Sequence, residues 1–169
     1  MGGVWGHGGA AGRVAGVRGC GDSNDINKAE VHFEQILEAI KKKDKDYLKA
    51  MFSKLALEKA KDIDGRMEYL FNFFQGKVMA WEQDGGPIVD ETDEDGHITK
   101  EFKSFFSVNT DKQKYLFFIL DYTENTINPD NVGLYALRVI KAENEETQFV
   151  SWQKMKIAGI YRPPVKGNN

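Results

Sequence analysis

An α+β domain, with three N-terminal helices packed on a curved antiparallel sheet, is the fold that these 169 residues predict, and three observations lead to it. Between residues 26 and 75 apolar side chains recur at steps of three and four. Beyond residue 76 the period drops to two and the residues turn β-branched and aromatic. The helices therefore all precede the strands instead of alternating with them, which gathers them on one face of an antiparallel sheet.

Residues 1–24 stand apart, since nine of the 17 glycines fall within the first 21 residues. With Met1, Val4, Trp5, Val14 and Val17 as its large apolar groups, this stretch buries too little surface to offset the ordering of so many glycines, and it reads as a flexible tail. The first helix starts near Ile26 and carries Ala29, Phe33, Ile36, Leu37 and Ile40 on one face. Ser23, Asn24 or Asp25 caps it, and Lys41, Lys42 and Lys43 complement the negative end of its dipole. A second, short helix follows Asp46 with Tyr47, Leu48, Met51, Phe52 and Leu55 as its stripe. The third spans residues 62–75, with Ile63, Met67, Leu70, Phe71 and Phe74 inward and Gly76 as a left-handed stop.

Strands are expected at residues 77–83, 99–109, 114–123, 134–142 and 147–161. A hairpin connection at 109–113 joins the second to the third, and Asn128-Pro129-Asp130-Asn131 and Asn144-Glu145-Glu146 break the chain before the fourth and fifth. Pro163 and Pro164 end the last, because proline cannot donate into a ladder. Both alternating faces of the 114–123 strand are apolar, so both must be covered. One domain then occupies residues 25–164, between the tail and a disordered C-terminus at 165–169.

Composition removes several functional classes. A single Cys cannot pair within the chain, so no disulfide framework exists. No apolar run approaches the roughly 18 residues of a membrane span. A net charge of −3 and a pI near 5.7 argue against a nucleic-acid partner. Gly6, Gly8 and Ala11 space as G-x-G-x-x-A, but neither the preceding strand nor the following helix of a dinucleotide loop stands around them. Gly19-Cys20-Gly21 looks like the end of a lipoprotein signal, although the segment before it is Gly-rich and Arg18 puts a charge where a small or apolar residue belongs. Two readings remain open for it: a linker with an incidental Cys, or a chain with an altered start whose relatives are lipidated at that position.

The acidic run offers Glu91, Asp93 and Asp95 as oxygen ligands at alternate positions, with Gly96 where a calcium loop turns. Phe102 occupies the place of the closing bidentate Glu, so the alternative, a charged hairpin turn closed by Asp95-Gly96, is the better fit. His32 and His97 have no second His or Cys at ligand spacing and read as solvated or core-edge imidazoles.

The order long helix, short helix, helix and bent sheet resembles the nuclear transport factor two-like superfamily, the cystatin-like α+β cone shared with ketosteroid isomerase and the polyketide cyclases. The stretches Lys42-Lys43-Asp44-Lys45-Asp46-Tyr47-Leu48-Lys49-Ala50-Met51-Phe52-Ser53 and Met67-Glu68-Tyr69-Leu70-Phe71-Asn72-Phe73-Phe74-Gln75-Gly76-Lys77-Val78 look, more narrowly, like a family of small uncharacterised proteins of Gram-positive bacteria. Members of that family often begin with a lipoprotein signal, which agrees with lipidation of relatives at the position of Cys20 and a location outside the cytoplasm; this chain lacks a competent apolar signal region. The resemblance spans residues 26–162 and rests on packing motifs, so it implies a fold and no activity.

Such a cone implies a pocket between sheet and helices. Phe33, Phe52, Phe71, Phe74, Trp81, Phe106, Phe118, Tyr135 and Trp152 are the residues expected to line it, with core packing as the alternative for each. Asp121, Tyr122 and Tyr135 are the candidates for acid–base work there, with Glu82 and Tyr69 near the same elements. The function expected is non-catalytic binding of a small apolar ligand or of a protein partner, without a cofactor; the alternative is a small isomerase- or hydrolase-like enzyme using the same pocket. A homodimer through the outer sheet face is compatible with either.

Overall fold

The structure, a computed structural model, describes residues 15–166. Strand β1 (Ala15–Cys20) leads into helix α1 (Ser23–Lys42), followed by α2 (Lys45–Met51), α3 (Lys54–Lys59) and α4 (Ile63–Phe73). A capping box starts α1: the Asp22 carboxylate accepts from the Asp25 amide at 2.9 Å, and Asp25 accepts in return from the Asp22 amide at 3.3 Å. Lys43, left-handed at φ 52°, ends it. The expected second helix is two. Phe52 turns extended to bridge to Leu134, the Ser53 amide donates to the Leu134 carbonyl at 2.9 Å, and the Ser53 hydroxyl then caps α3 by accepting from Ala56 at 3.1 Å. A packing need of the sheet thus breaks a helix that periodicity alone runs through.

Strands β2 (Val78–Gln83), β3 (Ile88–Glu94), β4 (His97–Thr110), β5 (Lys114–Asn125), β6 (Gly133–Lys141) and β7 (Gly159–Ile160) complete a seven-stranded sheet in the order β1-β3-β4-β5-β6-β7. Pairing is antiparallel except between β6 and β7, and β2 and β3 share one edge of the long β4. Four of the expected strands are present. The turn between β3 and β4 is the hairpin read from Asp95-Gly96, with φ of 53° and 83° and the Asp93 carboxylate accepting from Gly96 at 2.9 Å.

Two expectations are corrected. Residues 15–20, assigned to the tail, pair with β3 over Ala15↔Asp93 to Cys20↔Ile88; backbone hydrogen bonds hold them, and these carry no hydrophobic signature in the sequence. The strand expected at 147–161 is instead α5 (Glu145–Gln148), α6 (Trp152–Met155) and the short β7. The reason is the double-faced β5. Its inner face (Tyr115, Phe117, Ile119) meets the helices in the main core, while Phe118 and Leu120 on the outer face are buried with Ala136 beneath Met155 and Phe149. A fifth strand would have left that outer face bare.

The segment of α5 and α6, a strap across this outer face, also closes over charges. Lys103, 2% exposed, sits between Asp90 and Glu101, Lys156 reaches in to Glu101 at 2.8 Å, and Arg138 donates to the Gln148 carbonyl at 2.6 Å with its guanidinium over the Tyr161 ring. The apolar sheet face that a dimer would use is therefore covered by the chain's own C-terminal segment.

Candidate functional site

Where α1 begins to cross the sheet, the packed core gives way to a pocket of about 240 Å³. Lys28, Ala29 and His32 form its helical wall, Phe102 and Ser104 of β4 and Asp121 of β5 its floor, and Tyr122, Thr123, Val132 and Gly133 its rim. The strand register explains the floor: Phe102 lies opposite Asp121 and Ser104 opposite Ile119, on the face that carries the core. Register shifts at Lys100/Glu101 and Leu120/Asp121 flank this point and bend both ladders around Asp121. Gly133, at φ 131°, lets the start of β6 pass the α2–α3 junction, where a Cβ would lie 3.0 Å from the Ser53 amide.

His32 and Asp121 meet here across 89 residues of sequence, with Nδ1 to Oδ2 at 2.7 Å. Both side chains are mostly buried, 24% and 11% exposed. Burial lowers the imidazole's proton affinity, but the hydrogen bond and charge of Asp121 outweigh it, so the His32 pKa lies above its ordinary value. The carboxylate fixes Nδ1 as the protonated nitrogen, leaving Nε2 to donate or accept. Asp121 itself is 8% exposed; Oδ2 holds the histidine, and Oδ1 is buried with no hydrogen-bond partner among the described residues. Burial, with the charge of nearby Glu101, drives the Tyr122 phenol far upward, so it stays neutral.

The other sequence candidates are dispersed. Phe33 stacks on Phe106 at 4.0 Å and meets Trp81 and Phe117 edge-on, Phe74 packs on Tyr115, and Phe52 and Phe71 are buried beside them. These rings fill the space between helices and sheet, and none lines the 240 Å³ pocket. Phe118 is on the opposite face of the sheet, and Tyr135 packs edge-on against Tyr122 at 5.6 Å. Glu82 accepts from Ser107 on β4, and Tyr69 stacks on Phe73 of α4, both away from the pocket. Glu91 and Asp93 belong to β3 and Asp95 to its turn, with Glu91 beside Lys100 at 3.8 Å. Among the described residues no three His, Cys, Asp or Glu side chains converge to hold a metal. Gly6, Gly8 and Ala11 lie outside the described residues, as do the side chains of Cys20 and Trp152, whose backbones end β1 and begin α6. No helix among the described residues is long and apolar enough to cross a membrane.

Of the candidates named from sequence, only Asp121 and Tyr122 reach the pocket. His32, its partner, carries one legible sign: three residues beyond Ala29 and four before Ile36, it sits on the edge of the buried stripe of α1. Lys28, Phe102 and Ser104 carry none, because register between distant strands places them.

No curated protein matches the chain. The sequence model of the family described as "Domain of unknown function (DUF5104)" matches residues 35–142, from the middle of α1 to the end of β6, and the chain belongs to that family.

Proposed function

We propose that this chain is a small-ligand-binding domain whose site is the pocket between α1 and the β4–β5 floor. The observation that carries the reading is the His32–Asp121 pair, a polar anchor held at 2.7 Å in the wall of a largely apolar hollow. A volume of about 240 Å³ suits a compact molecule, smaller than the usual drug-sized ligand. The cone of the nuclear transport factor two-like superfamily remains our reading of the fold, supported by the long α1 laid across an antiparallel sheet with the pocket opening between them. The packed aromatic core argues for a ligand at the mouth of such a cone and against one in its depth.

A second reading, acid–base catalysis in the same pocket, is favoured by one observation: a histidine oriented by a buried carboxylate is the geometry of a general base. We also retain lipidation at the position of Cys20 in relatives. Cleavage before that residue would remove residues 15–19, nearly all of β1, and expose the edge of β3.

The binding reading is tested at the pocket's mouth. Thr123 is exposed, so Thr123→Trp fills the opening at little cost to the fold. Native mass spectrometry of the protein recovered from a bacterial extract is expected to show a bound small molecule that the Thr123→Trp protein lacks. Equal retention by both, or an empty wild type that also gives no amide shifts with a fragment library, sinks the reading.

A further inference from the structure

Resting on the pocket reading above, we infer that the ligand is a small apolar monocarboxylate whose head group accepts a hydrogen bond from His32 Nε2 and pairs with Lys28. The hollow offers donors and withholds its one carboxylate. Asp121 Oδ2 is held by His32 at 2.7 Å, and Oδ1 is closed off from solvent. His32 is placed differently: its side chain is 24% exposed, and only Nδ1 is spent on Asp121. Nε2 has no partner among the described residues and is not among the closed-off atoms. With Nδ1 protonated toward Asp121, Nε2 donates whenever the ring is charged, the form that Asp121 favours. Lys28 stands one turn earlier on the same helical wall, exposed and without an ion pair among the described residues. Two cations four residues apart on a helix repel each other, and an anion that meets both relieves the repulsion.

Charge then selects the head group. Among the lining residues Lys28 and His32 stand against the carboxylate of Asp121, and Tyr122 stays neutral. Lys100, over the Phe102 ring, is offset by Asp25 and Glu91. A carboxylate therefore meets a positive wall. An ammonium meets the same two cations and finds no open carboxylate, while a neutral acceptor takes the Nε2 bond without the charge. The body of the ligand lies against Ala29, Phe102 and Val132, and about 240 Å³ leaves room for a single ring.

Benzoate, benzamide and benzylammonium share one ring and differ in the head group. Binding is followed by the amide shifts of Ala29, Ser104 and Gly133 in the full chain, at a pH of about 6 where an imidazole of raised pKa is charged. The ring nitrogen signals of His32 give a second readout. Benzoate is expected to bind about tenfold tighter than benzamide, the difference between a charged and a neutral hydrogen bond, and benzylammonium weakest of the three. Saturating benzoate should move the His32 ring titration to higher pH, whereas benzamide should not. Lys28→Gln, at an exposed position, is expected to weaken benzoate about threefold and leave benzamide unchanged. In His32→Gln, which keeps a donor and loses the charge, benzoate should fall to the level of benzamide; if that variant fails to fold, the ring titration and Lys28→Gln decide. Benzamide or benzylammonium that matches benzoate at these amides, or a His32 titration that benzoate does not move, overturns the inference and leaves the pocket standing. If none of the three shifts these amides up to millimolar concentration, the pocket reading fails and the inference with it.

Discussion

His32 is pulled two ways, by burial that disfavours its charge and by Asp121 that favours it, and the second prevails. A folded-state pKa above the unfolded value of about 6.5 means stability that is fully present below pH 6.5 and lost as the pH rises through the folded value. We therefore expect the urea midpoint of the wild type to fall between pH 6 and pH 9, and that of His32→Asn to be flatter over the same window. A wild-type profile no steeper than the variant's would mean that the 2.7 Å contact does not hold the charged form. Asp121 was legible as a candidate because a carboxylate stands out at the end of an apolar strand. His32 was legible only as an imidazole at the edge of the α1 stripe, since nothing local marks the partner it finds 89 residues away.

Among the elements, those with an unambiguous period were legible: α1, α4, and the strands β2, β4, β5 and β6. Where two forces compete, the period misleads. Residues 47–55 keep a helical stripe, yet Phe52 and Ser53 are claimed by Leu134; residues 147–161 alternate like a strand, yet the outer face of β5 claims Phe149 and Met155. The strap formed by α5 and α6 consists of one-turn helices, too short to hold themselves. Arg138 supplies much of what is missing, donating to the Gln148 carbonyl at 2.6 Å and reaching that of Lys154 at 3.5 Å. Replacement by Met keeps the stem and removes both bonds. Hydrogen exchange at Phe149, Lys154 and Met155 should then rise by roughly tenfold or more, given the strength of bonds to a charged donor, while β4 and β5 amides stay protected. Unchanged exchange in the strap would show that packing by Phe149 and Met155 suffices without the guanidinium.

At the scale of the molecule, the family-matched span and the cooperative unit differ. Residues 35–142 contain most of the sheet but omit β1, the first turns of α1, the strap and β7. The omitted residues are central to the packing: Phe33 is fully buried against Phe106, Trp81 and Phe117, Ile160 belongs to the same core, and Met155 seals the outer face. Losing a buried Phe costs about 3–5 kcal/mol and a buried Ile or Met about 2–5. Three such losses together come to about 7–15 kcal/mol, the same size as the roughly 5–15 kcal/mol that holds a domain folded. They also expose Phe118 and Leu120, now 0% exposed. A fragment of residues 35–142 is therefore expected to show no cooperative thermal transition and narrow amide dispersion, whereas residues 21–164, which keep the Asp22–Asp25 capping box and β7, should melt cooperatively. A sharp melt from the shorter fragment would mean that helix α4 and the sheet form a core of their own, and that the N-terminal half of α1, with His32 and one wall of the pocket, docks onto a domain already folded without it.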